Sequence, residues 1–532
     1  MNSVLTKRMF AAAAIAMSAL VAQPAIAQDV ILETNDGSTT IRGELMSFED
    51  GFYTIKTALG NMRLSAERVS CAGDACPELS IDLAEVDFSI SGANTIGDEL
   101  MPLLLEGFAG VINAEADIVT TADSSVKVAT LIADQGYGEP FASILVQSSD
   151  SKDAFVNLIE GTAEIGMADR RINRDEARAL RSAGAGSMID LKQERVIAVD
   201  SLLVLVEESN PVNALTIDQL AGVFAGTITN WKDVGGADMA INVYSFPEES
   251  GTETTFSDRV LHPRDMHTKS DANFVNNHIE MSRSIVNDPA GIGYAGYAFQ
   301  RGAKSLSLIS ECGINTRPDA FSAKTEEYPL QRRLYVYNRG DATSDRAQEF
   351  LDFVTTEAAD GLVAKSGFIN LGVDRQPQDA GSDRMGALIH NTTDQFEVTL
   401  MRQLLIEMMD WDRLSTTFRF ASGSTALDSK AQRDLERLIT FLEPLPAGSQ
   451  IAVVGYTDDR GPFSANQSLS ETRASHIVNV IKGFAGDRVA DIDIVSMGFG
   501  EISPADCNET ATGRSTNRRV EIWIRDRDPY AN

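Results

Sequence analysis

Short runs of alternating apolar and polar residues open the mature part of the chain and predict a small β unit. Such runs cover 30–34, 39–47, 52–58 and 62–64, and the turn-forming segments Asn35-Asp-Gly37, Glu49-Asp-Gly51 and Leu59-Gly-Asn61 separate them. Alternation with a period of two is typical of half-buried strands, and Asn, Asp and Gly favour tight turns. We therefore predict that residues 28–78 form a compact barrel of four or five strands, in which no chemistry is visible.

Between residues 84 and 372 the pattern changes to apolar runs that alternate with helix-like segments. Strand-like runs cover 86–91, 143–146, 197–206 and 241–245, and a helical segment at 154–160 follows the second of them. This alternation is typical of an α/β architecture, in which ligands bind at loops beyond the strand ends. The region is therefore predicted to be an α/β domain whose binding groups lie at strand-to-helix turns.

The segment 373–411 begins with a polar linker and continues with an amphipathic helix. Its apolar positions recur near helical spacing at Phe396, Leu400, Leu404, Leu405 and Met408. This spacing gives the helix one apolar face. We predict that this face packs on a core or docks on another domain, rather than lying on a membrane surface.

The last unit, residues 412–527, again alternates strands and helices. Strand-like runs lie at 417–420, 451–455 and 520–524, and Asp428 and Ser470 are candidate N-caps of the two helices between them. Asp and Ser are favoured caps because their side-chain oxygens accept from free backbone N–H groups. The pattern predicts a β-α-β-α-β domain with its helices on one face of the sheet. The fold class as a whole is multi-domain α/β.

The N-terminus has the features of a secretory signal peptide. Lys7 and Arg8 precede a short apolar run at 9–21, and Ala25-Ile-Ala27 is a small-residue cleavage site. The apolar run is too short to span a membrane comfortably. We predict cleavage between Ala27 and Gln28, and the absence of a Cys at the cleavage site argues against a lipid anchor. These features predict a periplasmic protein.

The charge of the chain excludes some partners. It has 46 Lys and Arg against 77 Asp and Glu, a formal net charge of −31. Phosphate backbones and anionic membranes require basic patches, so neither nucleic acid nor an anionic bilayer is an expected partner. The charge itself is adequately explained by solubility in an exported compartment.

The four cysteines divide into two pairs. Cys71 and Cys76 are close in sequence within an exported chain, which predicts a small-loop disulfide. Cys312 and Cys507 lie in different predicted domains, and the sequence leaves open whether they pair or stay free. Because no Cys or His has the spacing of metal ligands, neither a metal site nor a cofactor is expected.

Charged residues in the last unit suit a small zwitterionic ligand. Asp458 follows a predicted strand, and Arg473 lies three residues after Ser470, in the predicted first turn of a helix. Free N–H groups at a helix start favour an anion, and the Arg fork can bind a carboxylate with two hydrogen bonds. Asp458 can bind an ammonium, and Asn466 can brace the loop. The alternative is a surface ion pair between Asp458 and Arg473, which would be weak.

The motifs around these residues extend over about 110 residues. They are Gly455-Tyr-Thr-Asp-Asp-Arg-Gly461, Asn466-Gln-Ser-Leu-Ser-Glu-Thr-Arg-Ala474, Gly500-Glu501 and Asn517-Arg-Arg-Val-Glu521. The set resembles the OmpA-like peptidoglycan-binding domain. The resemblance implies that Asp458 and Arg473 contact diaminopimelate in the peptide stem, and that Thr457, Asn466 and Arg518 belong to the same site. Tyr456 departs from the family, in which His is common at this position.

The middle region contains six short motifs along its length. They are Ser91-Gly-Ala-Asn-Thr95, Ile165-Gly-Met-Ala-Asp-Arg170, Ile228-Thr-Asn-Trp-Lys-Asp-Val-Gly-Gly236, Ser250-Gly-Thr252, Gly291-Ile-Gly-Tyr294 and Tyr328-Pro-Leu330. In this set and order the region resembles the periplasmic phosphate-binding proteins of ABC transporters. The resemblance implies a two-lobed fold, with a phosphate or a related oxyanion between the lobes and an ABC permease as an open possibility for a partner.

The implied anion-binding residues lie at strand-to-helix turns, where backbone N–H groups favour negative charge. They are Thr95, Ile96, Ser149, Ser151, Asp169, Ser250, Gly251 and Thr252. Thr95 is expected just before one helix, and Ser250-Gly-Thr252 just before another that begins at Glu253. Asp169 can accept a hydrogen bond from a protonated oxyanion, which favours phosphate over sulfate.

One departure affects the ligand. The family usually carries Arg four residues before the Ser of Ser-Gly-Thr, and here that position is Phe246. Loss of a bidentate Arg removes a charge-assisted bond of about 1.5–3 kcal/mol. The sequence leaves Arg170 and Lys152 as possible substitutes.

These observations predict a non-catalytic binding protein. The tetrapeptide Ser149 to Lys152 matches a short motif of penicillin-interacting enzymes, but its companion motifs are not evident. We predict a periplasmic protein that captures phosphate or a similar anion and is tethered to peptidoglycan, with an outer-membrane association left open. The alternative is an envelope scaffolding protein whose binding fold has lost its solute.

Overall fold

The computed structural model describes residues 29–34, 39–49, 52–57, 60–65, 69–72, 76, 86–121, 123–248, 250–377, 389, 394–420 and 427–525. The predicted signal peptide and its cleavage site lie outside the described residues. The chain divides into two compact units, Met1–Ile81 with Thr120–Asp123 and Asp82–Val119 with Ser124–Asn532. No helix among the described residues is long and apolar enough to cross a membrane.

The first unit contains an antiparallel sheet of five strands in the order β4-β3-β2-β1-β5. The strands are β1 (Asp29–Thr34), β2 (Thr40–Glu49), β3 (Phe52–Thr57), β4 (Gly60–Ser65) and β5 (Val69–Ala72). Their alternation buries a small core that includes Val30, Leu32 and Ile55. The predicted strands are confirmed, whereas closure into a barrel stays a prediction, since β4 and β5 do not pair within the described residues. Cys71 and Cys76 form the predicted disulfide.

The middle region of the second unit is an α/β domain, as predicted. Its strands are β6 (Phe88–Ala93), β7 (Ala114–Thr120), β8 (Val126–Ala133), β9 (Pro140–Ser149), β10 (Ile165–Ala168), β11 (Glu194–Val206), β12 (Ala214–Thr216), β13 (Asn242–Ser245), β14 (Asn273–Phe274), β15 (Gly291–Gly296), β16 (Lys304–Ser305), β17 (Ser307–Ile309), β18 (Asn315–Thr316) and β19 (Gln331–Asn338). Its helices are α1 (Asn94–Gly97), α2 (Leu100–Val111), α3 (Ser151–Glu160), α4 (Arg174–Ser182), α5 (Ile217–Phe224), α6 (Gly251–Val260), α7 (His278–Val286), α8 (Ala320–Lys324), α9 (Asp345–Phe353) and α10 (Glu357–Lys365).

The strand order defines two lobes. The main sheet runs β14-β13-β15-β11-β19-β10-β6-β9-β8-β7, and β12, β17 and β18 form a separate small sheet. We call the part with β6–β10 and β19 the first lobe, and the part with β12–β15, β17 and β18 the second. The long strand β11 pairs with β19 through its first half and with β15 through its second half. Every residue of β11 is buried, so this strand is a continuous connection between the lobes.

The C-terminal region adds a second, smaller sheet. Its elements are β20 (Arg375–Gln376), α11 (Gln395–Glu407), β21 (Asp412–Arg419), α12 (Ser429–Leu442), β22 (Gln450–Gly455), α13 (Phe463–Ala485), β23 (Asp493–Gly498), α14 (Ala511–Asn517) and β24 (Arg519–Arg525). The strands lie in the order β20-β21-β24-β22-β23, with β22 and β23 parallel.

The two helices predicted between the strands, α12 and α13, lie on one face of this sheet, as predicted, and α11 from the preceding segment covers the other face. Apolar residues of α12 and α13 share one core with Ile451 and Val453. The alternate positions Ala452 and Val454 face a second core, which Met401 and Leu404 of α11 complete. The predicted packing role of the 395–407 helix is thereby confirmed.

The C-terminal domain is joined to the second lobe by a disulfide between Cys312 and Cys507. Cys312 lies between β17 and β18, and Cys507 precedes α14. The pairing that the sequence left open therefore spans two domains and encloses a long stretch of chain.

The C-terminal domain also binds the first lobe and the segment that leads into it. Arg333 of β19 pairs with Asp428 at 2.9 Å, and Arg437 of α12 pairs with Asp360 of α10 at 3.3 Å. Ser429 donates to the carboxylate of Glu194 in β11. The domain thus contacts both lobes of the middle domain, one through a covalent bond and the other through polar contacts.

Glu326 lies at the centre of this junction. Its carboxylate pairs with Arg333 at 2.6 Å, Arg419 at 3.2 Å and Lys430 at 3.9 Å. Only 10% of its side chain is exposed. Burial alone would raise the pKa of Glu326, but the three cations hold it well below its ordinary value. One carboxylate therefore links the segment before β19 to both β21 and α12.

Candidate functional site

A cleft of about 620 Å³ lies between the two lobes of the middle domain. Ser151 and Asp169 line it from the first lobe, and Gly251 and Thr255 line it from the second. Arg332 of β19 also lines the cleft. Most of the predicted anion-binding segments therefore meet in one place.

Arg332 is the central cation of the cleft. It lies directly opposite Asp200 in the β11–β19 pair, and its Nε and Nη2 donate to Asp200 Oδ2 at 3.1 and 3.0 Å. Its Nη1 donates to Asp169 Oδ2 at 2.6 Å, and its Nη2 approaches Thr95 Oγ1 at 3.4 Å. Burial alone would lower the pKa of Arg332, but the charges of Asp169 and Asp200 raise it. The guanidinium is therefore fixed and always charged.

Asp169 is oriented by the start of α3. Ser151 Oγ donates to Asp169 Oδ1 at 2.5 Å and accepts from the Asp169 backbone N–H at 2.9 Å. Ser149 lies at the end of β9, and its Oγ is buried without a hydrogen-bond partner among the described residues. An unpaired buried hydroxyl is unfavourable unless a ligand or water satisfies it, so Ser149 remains a candidate ligand contact.

The second lobe contributes the start of α6. The helix begins at Gly251, two residues earlier than predicted, and Ser250 is its N-cap, accepting from the Thr252 N–H at 3.3 Å. A side chain at position 251 would place its Cβ 3.8 Å from Asp169 Oδ2, so the glycine backbone approaches the first lobe closely. The Thr252 hydroxyl instead lies 3.4 Å from buried His278 Nε2.

Two predicted positions differ in their local setting. Thr95 lies within the short helix α1 rather than before it. Ile96 is fully buried, so its side chain belongs to the core. The helix begins at Asn94, two residues earlier than a start directly after Thr95.

The structure explains the departure at Phe246. Phe246 is buried, and its ring packs 5.0 Å from His278 and 5.5 Å from Tyr294. It therefore belongs to an aromatic cluster in the second lobe. Arg170, one proposed substitute, pairs with Glu176 at 2.7 Å. The cation next to Thr95 and Asp169 is instead Arg332. It follows the motif Tyr328-Pro-Leu330 by two residues, and this position was the sequence feature that could have identified it.

The C-terminal domain contains the second candidate site, and its geometry corrects one prediction. The helix α13 begins at Phe463, so Arg473 lies in its middle and not in its first turn. Ser470 is also inside the helix, where its Oγ accepts from the Gly500 N–H at 2.9 Å. The free N–H groups of a helix start therefore do not assist Arg473.

Arg473 has an unusual environment. Only 2% of the residue is exposed, and its Nε and Nη1 have no hydrogen-bond partner among the described residues. Its guanidinium lies 5.4 Å from the ring centre of Phe420. Burial and the charge of Arg518 lower the pKa of Arg473, while Asp458 opposes this effect. A buried cation with free donors is suited to an anionic ligand.

Asp458 is held beside this cation by other residues. Its Oδ2 accepts from Arg518 Nη1 at 2.8 Å, and its backbone carbonyl accepts from Asn466 Nδ2 at 3.2 Å. The predicted bracing by Asn466 agrees with this geometry. Thr457 Oγ1 is buried without a partner among the described residues. The alternative of an Asp458–Arg473 ion pair is not formed, because Arg518 pairs with the carboxylate instead.

Comparison with known protein families agrees with this two-part organisation. Residues 109–358 match the PBP superfamily domain, and residues 419–518 match the OmpA family. The chain therefore has a PBP-like domain in its middle and an OmpA family domain at its C-terminus.

Individual relatives match the middle domain. The phosphate-binding protein PstS of Bacillus subtilis (strain 168) is 28% identical over 266 residues, which cover 49% of this chain and 82% of the relative. PstS of Pseudomonas aeruginosa PAO1 is 27% identical over 250 residues, covering 44% and 75%. Among solved structures, an ABC-type phosphate transport receptor from Vibrio cholerae aligns with a TM-score of 0.41 and 22% identity, covering 53% of this chain and 99% of that one.

Proposed function

We propose that the middle domain is a receptor for phosphate or a closely related oxyanion in the periplasm. The observation that carries this proposal is the convergence of Arg332, Asp169 and the start of α6 in one cleft, with Thr95 Oγ1 3.4 Å from Arg332 Nη2. A fixed guanidinium and free helix N–H groups favour an anion, and a carboxylate selects one that still carries a proton. The named relatives are phosphate-binding proteins, which supports the same ligand.

Such a receptor binds its ligand without chemical conversion. Its transport partner, on this proposal, is an ABC permease. We also assign the protein to the envelope, because the periplasmic binding-protein fold and the OmpA domain are found together in one chain.

We propose further that the C-terminal domain attaches the receptor to peptidoglycan. The free Nε and Nη1 of buried Arg473 can bind the carboxylate of diaminopimelate with two hydrogen bonds. Asp458 is paired with Arg518, but it lies close enough to Arg473 to oppose the lowering of its pKa. Asp458 can therefore bind the ammonium of the same ligand. Thr457 supplies an additional free hydroxyl.

One observation favours a second candidate function for the middle domain. Arg332 already has two carboxylate partners, Asp169 and Asp200, so its charge is more than neutralised before any anion binds. Together with Phe246 at the usual Arg position, this favours an envelope scaffold that no longer binds solute.

Titration calorimetry separates the two functions. The mature protein should bind orthophosphate and not sulfate, and Arg332→Met and Thr95→Val should each abolish or strongly weaken binding. Arg178→Met is the matched control, because Arg178 is an exposed residue of α4 outside the cleft. Circular dichroism verifies that each variant is folded. A folded wild-type protein without phosphate affinity would support the scaffolding function.

A further inference from the structure

The interlobe cleft extends well beyond the phosphate position. One face of α6 lines it from the first residue to the last turn, through Gly251, Thr254, Thr255, Asp258 and Arg259. Residues 251 and 259 are eight positions apart, which corresponds to about 12 Å along a helix. The proposed phosphate position, near Gly251 and Arg332, occupies only one end of this length.

The volume of the cleft leads to the same conclusion. If each oxygen of an orthophosphate ion occupies as much space as a water molecule, about 30 Å³, the ion fills about 120 Å³. The cleft has about 620 Å³. The remaining space lies beside Thr254, Arg259 and Lys152, which are polar or charged.

Arg259 is a cation without an acidic partner in the described part of the chain. Its Nη1 donates to the Pro329 carbonyl at 2.7 Å, and no described carboxylate forms an ion pair with it. The adjacent Asp258 instead pairs with His262 at 2.9 Å. Burial and then the charge of Arg332 lower the pKa of Arg259, while the charges of Glu326 and Asp258, which also line the cleft, oppose this effect. Arg259 therefore lies close enough to Arg332 for the two charges to repel.

Lys152 lies across the cleft from α6. It is in the first turn of α3, where its backbone N–H donates to the Asp150 cap at 2.5 Å. Its side chain lines the cleft and forms no ion pair among the described residues. Two cations from different lobes therefore line the same cleft. This contrasts with Arg170, which lines the cleft but pairs with Glu176.

We propose that the outer half of the cleft is a second anion subsite, where Arg259 and Lys152 bind the second phosphoryl group of a diphosphate. This inference rests on the proposed function, because it places the first phosphoryl group at Arg332. Arg259 lies one helical turn beyond Thr255, whose hydroxyl is 3.5 Å from Arg332 Nη1. One turn is about 5.4 Å along the helix axis, so the long side chain of Arg259 can reach a phosphoryl group bonded to the one at Arg332. The ligand class is therefore inorganic pyrophosphate and compact diphosphate esters.

Calorimetry of the mature full-length protein with orthophosphate and with pyrophosphate, both in EDTA, tests the inference. Pyrophosphate should bind about tenfold or more tightly than orthophosphate, since a charge-assisted hydrogen bond changes affinity by roughly that factor. Arg259→Met and Lys152→Met should each remove most of this preference and leave orthophosphate affinity within about twofold. Arg178→Met should change neither affinity.

The possible outcomes distinguish this inference from the proposed function. Equal affinity for both ligands, or a preference that survives Arg259→Met in a folded protein, overturns the second subsite and leaves phosphate binding intact. Binding of pyrophosphate alone, lost in Arg259→Met, supports the subsite and refutes the orthophosphate receptor. Absence of binding for both ligands overturns both proposals.

Discussion

Replacing Glu326 with Gln removes one negative charge from the buried junction between the middle and C-terminal domains, with little change in shape. Glu326 is the shared partner of Arg333, Arg419 and Lys430. After the substitution, three cations remain close together in a region that water hardly reaches. We therefore expect Glu326→Gln to weaken the attachment of the C-terminal domain.

The remaining contacts set the magnitude. Arg333 keeps Asp428 and Lys430 keeps Asp434, so these two cations retain a carboxylate. Arg419 keeps only backbone carbonyl partners among the described residues. Removing one partner from a buried ion pair costs about 3–5 kcal/mol of stability. Because two of the cations keep a carboxylate, we expect the free energy of unfolding to fall by about 3 kcal/mol. The loss is largest at neutral pH and shrinks in acid.

The pH dependence follows from the lowered pKa of Glu326. The unfolded chain takes up a proton near the ordinary pKa of Glu, about 4.3, whereas the folded chain does so only at a lower pH. The contribution of Glu326 to stability is therefore present above about pH 4.3, the ordinary pKa of Glu. It declines as the pH falls from there through the lowered pKa of the folded chain.

Urea unfolding at pH 7 and at pH 3.5, followed by intrinsic fluorescence, measures both effects. Glu349→Gln is the matched control, because Glu349 lies in an exposed pair with Arg346 and should contribute less than about 1 kcal/mol. A loss below about 1 kcal/mol for Glu326→Gln at pH 7, equal to that of the control, would refute the assignment of Glu326 as the main electrostatic contact of the junction.

Three further predictions concern other sites. Arg473→Met should abolish co-sedimentation with peptidoglycan without lowering the melting temperature, because it removes a buried cation with unpaired donors. Substitution of the exposed Arg488 by Met is the control. Co-sedimentation retained by the Arg473→Met variant would contradict the assigned site. Burial lowers the pKa of His278 to about 4, whereas the unfolded chain protonates it near 6.5. The free energy of unfolding should therefore fall by about 3 kcal/mol as the pH drops from 6.5 to 4. His278→Gln should flatten the measured curve of unfolding free energy against pH. Cys312→Ser should lower the unfolding free energy by about 4–5 kcal/mol, since the bridge to Cys507 spans 195 residues, and an unchanged denaturation midpoint would contradict this.

The apolar pattern predicted the fold class and elements such as β6, β9, α11 and α12, but it left out many others, among them the short strands β12 and β16 to β18. The strand β22 is an apolar run that follows a polar residue, and the second half of β11 is a similar run, so both could be predicted from the sequence. The predicted start of α13 at Ser470 was wrong. Ser470 has the chemistry of an N-cap, whereas the helix begins at Phe463, where no side chain caps it. In the structure the Ser470 hydroxyl accepts from the backbone N–H of Gly500, which is distant in sequence. This tertiary contact takes the place of the N-cap role that the local sequence favours.

Arg332 was missed for a different reason. Its role depends on its pairing with Asp200, 132 positions earlier, across the β11–β19 register. The motif Tyr328-Pro-Leu330 lies just before Arg332, but nothing near Asp200 indicates a partner, and only the strand pairing brings the two charges together. The junction around Glu326 was missed for the same reason, because its partners come from segments far apart in the chain.

Attachment of the C-terminal domain to both lobes has a mechanical consequence. A receptor held by a single linker could swing freely about its anchor, and a pull on the anchor would leave the two lobes unloaded. If the C-terminal domain is anchored as we propose, a pull on it would enter the second lobe through Cys312 and the first lobe through Arg333 and Asp360. Force on the anchor is therefore distributed across the β11 connection between the lobes. On the proposed attachment to peptidoglycan, a load on the C-terminal domain would therefore act on the angle between the two lobes.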